Sequence, residues 1–475
     1  MSLFRIAQRS AVFSVLLVGC RSTPTPQELG SLFAPTPSAA RAPQETIRPS
    51  PHRVEQASFQ ETLPAAALPT PEPGAPAGPF LQQSELFLPQ LIAEVEARNP
   101  SLQAMTAAWQ AAAERYPQEV SLDDPMFMTM LAPASWGAAG VQPSYMLQGS
   151  QKLPWFGKRA LRGQAARAEA EAAQGELQDE RVRLVEMVQM AFLDYYLVRR
   201  QQELNVRNIE VVRSFREAAE AKYRTNQVTQ QDLLQADVEL AELERRRIEL
   251  GRMDRVARAR INTLLRVDPL GPLPPPPRAL APPTELVDLT VLQEVAARQR
   301  PDLLAASGRV AQEEAAVSLA AKAYYPDVEV IGRYDNFWEQ SEVRPAVGLN
   351  MNVPLYKGRL DAAVREGMNR LAQRKAELEQ RSLDAQYEVA VAYEDAEESR
   401  RTVELYAAQL LPIATQNVAV ARANYDTNRA DFLDLATAQQ KLIELSEKAE
   451  ESLALYHRRL AGLSRAIGGQ PTASH

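Results

Sequence analysis

Residues 151–159 read QKLPWFGKR, and residues 351–359 read MNVPLYKGR. Each passage closes an extended stretch, places a proline and one or two aromatic rings, and then enters a long run with almost no proline or glycine. Pro154 and Pro354 end strands because proline cannot donate to a ladder, and Gly157 and Gly358 permit the turn into a helix. Two more passages recur in the same order. RNPSLQA at 98–104 is answered by QRPDLLA at 299–305, and YRTNQVTQQDLLQA from Tyr223 by YDTNRADFLDLATA from Tyr425. The three offsets are 201, 200 and 202 residues, so the chain carries an internal duplication.

Each half then reads as one sequence of elements. A modest helix is expected over 84–116 and again over 286–323. Strand-like stretches follow at 119–130 and 140–152, flanking LAPASWGAAG, and at 327–336 and 342–353, flanking a turn near Trp338. A very long helix comes next, over 158–222 and over 358–424, with apolar residues at three- and four-residue spacing. Return helices are expected over 230–265 and 431–467. A 65-residue helix is about 98 Å long at about 1.5 Å per residue, and the two shorter helices laid end to end match it. The result is an elongated bundle of mixed α and β class. VDPLGPLPPPPRALAPP, at 267–283, is a linker that no helix can cross.

VEVIGRYDNF and VRPAVGLNMNV alternate partially at period two and have about the 9 to 11 residues of a tilted membrane strand. Four strands cannot close a barrel that passes solute, and an open edge is forbidden in lipid. Oligomerisation is the direct remedy, and three chains supply twelve strands.

Ahead of the repeats the chain begins MSLFRIAQRSAVFSVLLVGC. Arg5 and Arg9 precede an apolar run too short to span a bilayer, which predicts a signal peptide over 1–19. Leu17 to Cys20 look like the lipobox of bacterial lipoproteins, making Cys20 the acylated terminus, and Arg21 in second place favours the outer membrane. Residues 20–84 then form a tether with 13 prolines between 21 and 84. The remaining boundaries are a first repeat over 85–266, a linker over 267–285, a second repeat over 286–469 and a tail over 470–475.

Composition removes several classes. Cys20 is the only cysteine, and His52, His457 and His475 have no paired spacing, so no disulfide, CxxC or zinc site is expected and no cofactor is called for. A formal charge of -7 gives no support to a nucleic-acid partner. No phosphate-binding loop and no nucleophile–base constellation is evident, so no enzyme is expected.

The lipobox, the paired LPWFGKR and VPLYKGR junctions and the paired tips at Tyr223 and Tyr425 together resemble the TolC-type outer membrane efflux proteins. Within them the likeness is to the lipoprotein branch serving resistance-nodulation-division pumps, and QKLPWFGKR looks most like the heavy-metal cation members. The resemblance covers about 86–469. It implies a homotrimer with a twelve-stranded transmembrane β-barrel, four strands per chain, continued by a long α-helical coiled-coil tunnel in the periplasm. It also implies a periplasmic adaptor, or membrane fusion protein, an inner-membrane pump and outer-membrane lipid as partners. Multidrug efflux and type I secretion ducts share this plan; a structural coiled-coil envelope lipoprotein is the rival of another class.

Several residues carry specific expectations. Lys158, Arg159, Lys357 and Arg359 are placed near lipid headgroups, with Trp155, Phe156 and Tyr356 in an interfacial belt or packed within the junction. The tips at Tyr223, Asn226, Tyr425 and Asn428 reverse the chain, and the resemblance places adaptor contacts there. It also places an aspartate ring of a periplasmic gate at Asp434. Asp431 lies three residues before it and Asp232 is its duplicate; helix capping is the competing role for both. Met126, Met128 and Met130 share one face of a strand. They offer transient thioether contacts to Cu(I), or else pack against lipid or core.

Overall fold

The computed structural model describes residues 83–469, apart from 137–138, 140–141, 226–228, 339–340, 428 and 431. The signal peptide, Cys20, nearly all of the tether, Asn226, Asn428, Asp431 and the tail lie outside the described residues. The chain divides into units 1–70 and 71–475, and every described residue belongs to the second.

The first repeat runs α1 (Leu88–Arg98), α2 (Pro100–Ala113), α3 (Arg115–Val120), β1 (Met126–Leu131), β2 (Tyr145–Leu153), α4 (Lys158–Arg224) and α5 (Gln230–Leu264). The second runs α6 (Leu289–Gln299), α7 (Pro301–Lys322), β3 (Val328–Asp335), β4 (Pro345–Met351), α8 (Lys357–Leu405), α9 (Leu411–Asp426) and α10 (Phe432–Ala466).

The modest helices expected over 84–116 and 286–323 are each broken at an X–Pro step. Asn99 and Arg300 hold extended backbone before Pro100 and Pro301, the conformation that a following proline imposes. Asn99 then caps α2 by accepting the Ser101 N–H at 2.9 Å. Residues 119–120, expected as strand, end helix α3 instead. The side chain of Val120 packs on α4 where Gly163 leaves room, and its carbonyl accepts the Arg159 guanidinium, so tertiary contact decides the local conformation.

The long helix expected over 358–424 is also interrupted. A π turn, Tyr406–Leu410, separates α8 from α9, just ahead of Pro412. A π turn takes up one extra residue without turning the helix off its face. The repeat offset drifts from 200 at the strand–helix junctions to 202 at the tips, two residues of extra length, of which the π turn takes up one.

The four strands form one antiparallel sheet in the order β1-β2-β3-β4. The inner strands β2 and β3 have 9 and 8 residues, whereas the edge strands β1 and β4 have 6 and 7. β2 reaches the 9 to 11 residues expected, and the other three are shorter, most of all at the edges, where the ladder has a partner on one side only.

Two equivalent cores sit where the short helices meet the long ones. Leu91 and Val95 of α1 pack with Val188 and Phe192 of α4 and Ile261 of α5; Leu292 and Ala296 of α6 pack with Val389 and Ala396 of α8 and Leu463 of α10. The proline linker adds Val267, Leu273 and Leu280 to the first core. The repeats also interlock. Helix α7 of the second repeat lies along α4 of the first, so close that a Cβ on Gly175 would stand 2.7 Å from the Ala305 nitrogen, and one on Gly308 2.9 Å from the Ala172 nitrogen. Glycine at both crossings is what lets the two backbones approach.

Candidate functional site

The sheet is two-faced. Side chains alternate along a strand, and residues paired across strands share a side. The register Lys152↔Glu329↔Asn350, Gln148↔Arg333↔Ala346 and Ser150↔Ile331↔Gly348 therefore assembles a polar face. Asn350 donates to the Glu329 carboxylate at 3.1 Å, in keeping with that register. The opposite face carries Leu153↔Val328↔Met351, Gln151↔Val330↔Leu349 and Leu147↔Tyr334, with Phe127 over Gly149 and Val347 beside Gly332. It is apolar but for Gln151, Thr129 and glycines, and it is open, Val347 and Phe127 being 85% and 83% exposed. Met126, Met128 and Met130 belong to the polar face and are exposed, so they are not core residues.

The two strand–helix junctions differ. Pro154 directly follows β2, and Gly157 precedes α4 at φ 87°, a left-handed conformation that favours glycine. Lys158 is 7% exposed. Its ammonium donates to Asp327 at 2.7 Å and to the Tyr325 carbonyl at 2.9 Å, while the Trp155 N–H donates to the same Asp327 oxygen at 2.9 Å. Burial opposes ionisation of Asp327, but these donors outweigh it and hold the carboxyl below its usual range. The Trp155 ring stacks on Tyr325 with centroids 5.5 Å apart. Lys158 and Arg159 are therefore engaged inside the chain rather than offered to headgroups, because a partner 169 residues away claims the ammonium.

The second junction is open. Pro354 lies between β4 and α8, and Gly358 is the second residue of α8 with no left-handed backbone, so it does not make the turn. Leu355, Tyr356, Lys357 and Arg359 are all exposed.

At the other end of the long helices the tips are joined. Lys222 donates to the Tyr425 carbonyl at 2.6 Å and stands 3.7 Å from the centroid of its ring. Tyr425 is buried with Phe215, Ala219 and Leu435, whereas its duplicate Tyr223 is half-exposed. Burial, with Asp232 and Asp426 nearby, pushes the Tyr425 phenol up. Asp232 completes a capping box, accepting the Thr229 N–H at 2.9 Å. Asp434 occupies the matching first turn of α10, is exposed, and has no ion-pair partner among the described residues. It lines a groove of about 700 Å³ between α9 and α10, with Asn424, Thr437, Lys441 and Glu444. Farther along, hydrogen bonds from Lys441 and Lys448 draw the Glu444 carboxyl down to about 2.

The Lys158–Asp327 clasp and the Lys222–Tyr425 contact carry no local sequence signal, since each joins residues of different repeats. Among the described residues no helix is long and apolar enough to cross a membrane, and no cluster of three His, Cys, Asp or Glu is placed to hold a metal.

A family model described as outer membrane efflux protein matches residues 292–469. No curated relative matches at the sequence level. Solved structures share the fold. The outer membrane protein VceC from Vibrio cholerae is 19% identical with TM-score 0.68, over 82% of this chain and 98% of that one. CusC, described with its transmembrane channel formation, is 17% identical with TM-score 0.68, over 81% and 93%. The MtrE outer membrane channel of Neisseria gonorrhoeae, in its open state, is 18% identical with TM-score 0.66, over 80% and 89%. The sheet and long helices thus have the architecture of a TolC-type monomer.

Proposed function

We propose that this chain is the outer-membrane exit duct of a tripartite efflux assembly, conducting cargo passively from a pump and its adaptor to the exterior. The observation that carries the reading is the sheet, polar on one side, apolar and exposed on the other, with two unpaired edges. Lipid accepts the apolar face but no open edge, and closing the sheet on copies of itself turns the polar face inward around water. Three copies give twelve strands, and the long helices continue the wall into the periplasm. The family match over 292–469 and the channel structures of the same fold support this.

The finer assignments follow from the same reading. Cys20 carries the lipid anchor. The tips at Tyr223, Asn226, Tyr425 and Asn428 meet the adaptor, whose pump is of the resistance-nodulation-division type. Asp434, with Asp431 before it, rings the periplasmic entrance, three carboxylates at each level attracting cations. The junction QKLPWFGKR supports heavy-metal cations as cargo. Multidrug efflux or type I secretion is the alternative, and the comparisons back it better than a heavy-metal cargo.

Full-length protein reconstituted in a planar bilayer tests the duct. Detergent-resistant trimers with discrete conductance are expected, and Asp434→Asn lowers cation preference at equal trimer abundance. Monomers without conductance would sink the reading. Deletion and complementation scored on metals and drugs then separates the cargoes.

A further inference from the structure

The pairing of β1 with β2 adds a fourth thioether to the methionine row. Met130 is the register partner of Met146, so Met126, Met128, Met130 and Met146 share one side of the sheet. That side is the polar one. Its other rows hold Lys152, Glu329, Arg333 and Asn350. Phe127 and Leu131, with Thr129 between them, lie on the other, largely apolar side, so strand alternation calls for polar side chains where the methionines stand. Met126, Met128 and Met130 are 62%, 45% and 51% exposed. Core packing does not explain them, and lipid contact belongs to the other face.

We infer that these four residues form a soft-metal ladder for Cu(I) or Ag(I), an inference that rests on the exit-duct reading, in which this face borders the lumen. Thioether sulfur is a soft, polarizable donor matched to such ions. Alternate residues on a strand lie roughly 6.6–6.8 Å apart, and directly paired Cβ atoms about 4.5–5.5 Å. An ion is therefore held where Met130 and Met146 face each other and handed along Met128 and Met126. Each contact is a sulfur lone pair donated to the metal. As each sulfur binds, a bound water or the previous sulfur leaves the ion, and no proton is released, because a thioether has none to lose. Binding is accordingly insensitive to pH between about 5 and 8, where imidazole ligands titrate. Weak, repeated contacts suit conduction, which requires release as well as entry.

The test uses full-length protein in detergent and Ag(I) as the probe, by equilibrium dialysis in chloride-free buffer. Wild type is compared with the M126L/M128L/M130L/M146L variant, since leucine keeps volume and hydrophobicity and removes the sulfur. Cys20 and the other methionines are present in both, so the difference reports these four. Silver affinity at least tenfold weaker in the variant is expected, with the difference between wild type and variant unchanged across that pH range. Should the buried Met146 be needed for folding, M126L/M128L/M130L changes exposed positions only and gives the same reading. Equal silver binding, or a difference between the two proteins that falls away on acidification, overturns the ladder. Planar-bilayer conductance on the same preparations separates the two ideas. A wild type that does not conduct sinks the exit duct whatever the silver result, and conducting proteins with equal silver binding sink the ladder alone.

Discussion

Helix α4 and its duplicate α8 follow one plan in different surroundings. Helix α4 buries 21 of its 67 residues, α8 only 6 of its 49. The first lies against α5, α7, α10 and the three short helices of its own repeat; the second meets α6, α7 and α10 and leaves Met368, Leu383, Tyr387 and Leu405 exposed. Helix α8 thus repeats the apolar spacing of its twin without covering it. Under the proposed trimer the next copy covers it. The contrast teaches that the first repeat holds the chain together and the second presents it.

The sharpest way to break this comparison is at the glycines. Gly175→Ala drives a methyl into the α7 backbone, where contacts of 2.7–2.9 Å leave no flexible side chain to yield. A loss of about 2–3 kcal/mol is expected. Gly358→Ala in α8 meets nothing within 4 Å and lies in a helix, so it stabilises by about 0.5–1 kcal/mol. Thermal unfolding followed by helical circular dichroism reads both. Equal effects would mean that the α4–α7 crossing does not hold the chain together.

That asymmetry marks the limit of what sequence discloses. The duplication, the first long helix, the return helices and the proline linker are legible because each is a periodicity or a composition shift within a few residues of itself. What is not legible is which copy is central. Lys158 and Lys357 follow near-identical motifs, yet one is buried on Asp327 and the other exposed, because Asp327 lies 169 residues away. Likewise Gly157 takes the left-handed turn and Gly358 does not, a distinction that two glycines beside a cation cannot encode. The methionine row is visible in MFMTM, but its side of the sheet, and Met146, emerge only from the register.

The junctions give the next smaller test. Lys158→Met strands the Asp327 carboxylate. Because Asp327 is 40% exposed, solvent offsets part of the loss, and about 1–2 kcal/mol is expected. Lys357→Met, at an exposed site, changes stability by at most about 0.5 kcal/mol. The pH dependence has a defined sign. Asp327 titrates lower in the folded chain than unfolded. Its stabilisation is therefore complete above the unfolded value near about 3.9 and is lost as pH falls through the lower folded value. Denaturation of wild type and Lys158→Met should converge as the pH drops below about 4. A gap that persists there would mean that Lys158 acts by packing its stem and not by its charge.

The smallest effect is expected at the tips, where the comparison turns on Lys222 and Tyr223, neighbours in sequence with opposite roles. Lys222 joins the repeats through the carbonyl and ring of Tyr425, so Lys222→Met removes a charge-assisted hydrogen bond and a cation–π contact while keeping the stem. At a solvated tip this is worth about 0.5–1 kcal/mol, too little to move the global melt far but enough to open the last turns of α4 and α9 locally. Hydrogen exchange is expected to rise several-fold in peptides around 215–225 and 419–427 and to stay unchanged at the first core, around Val188 and Phe192. Tyr223→Phe leaves both alone. Faster exchange around 215–225 without any change around 419–427 would mean that the two tips are held separately, and that a movement of one need not be passed to the other. Coupled exchange makes them one unit, so an adaptor gripping the exposed Tyr223 side would also act on the buried Tyr425 and, through Leu435 packed with it, on the first turn of α10 that carries Asp434.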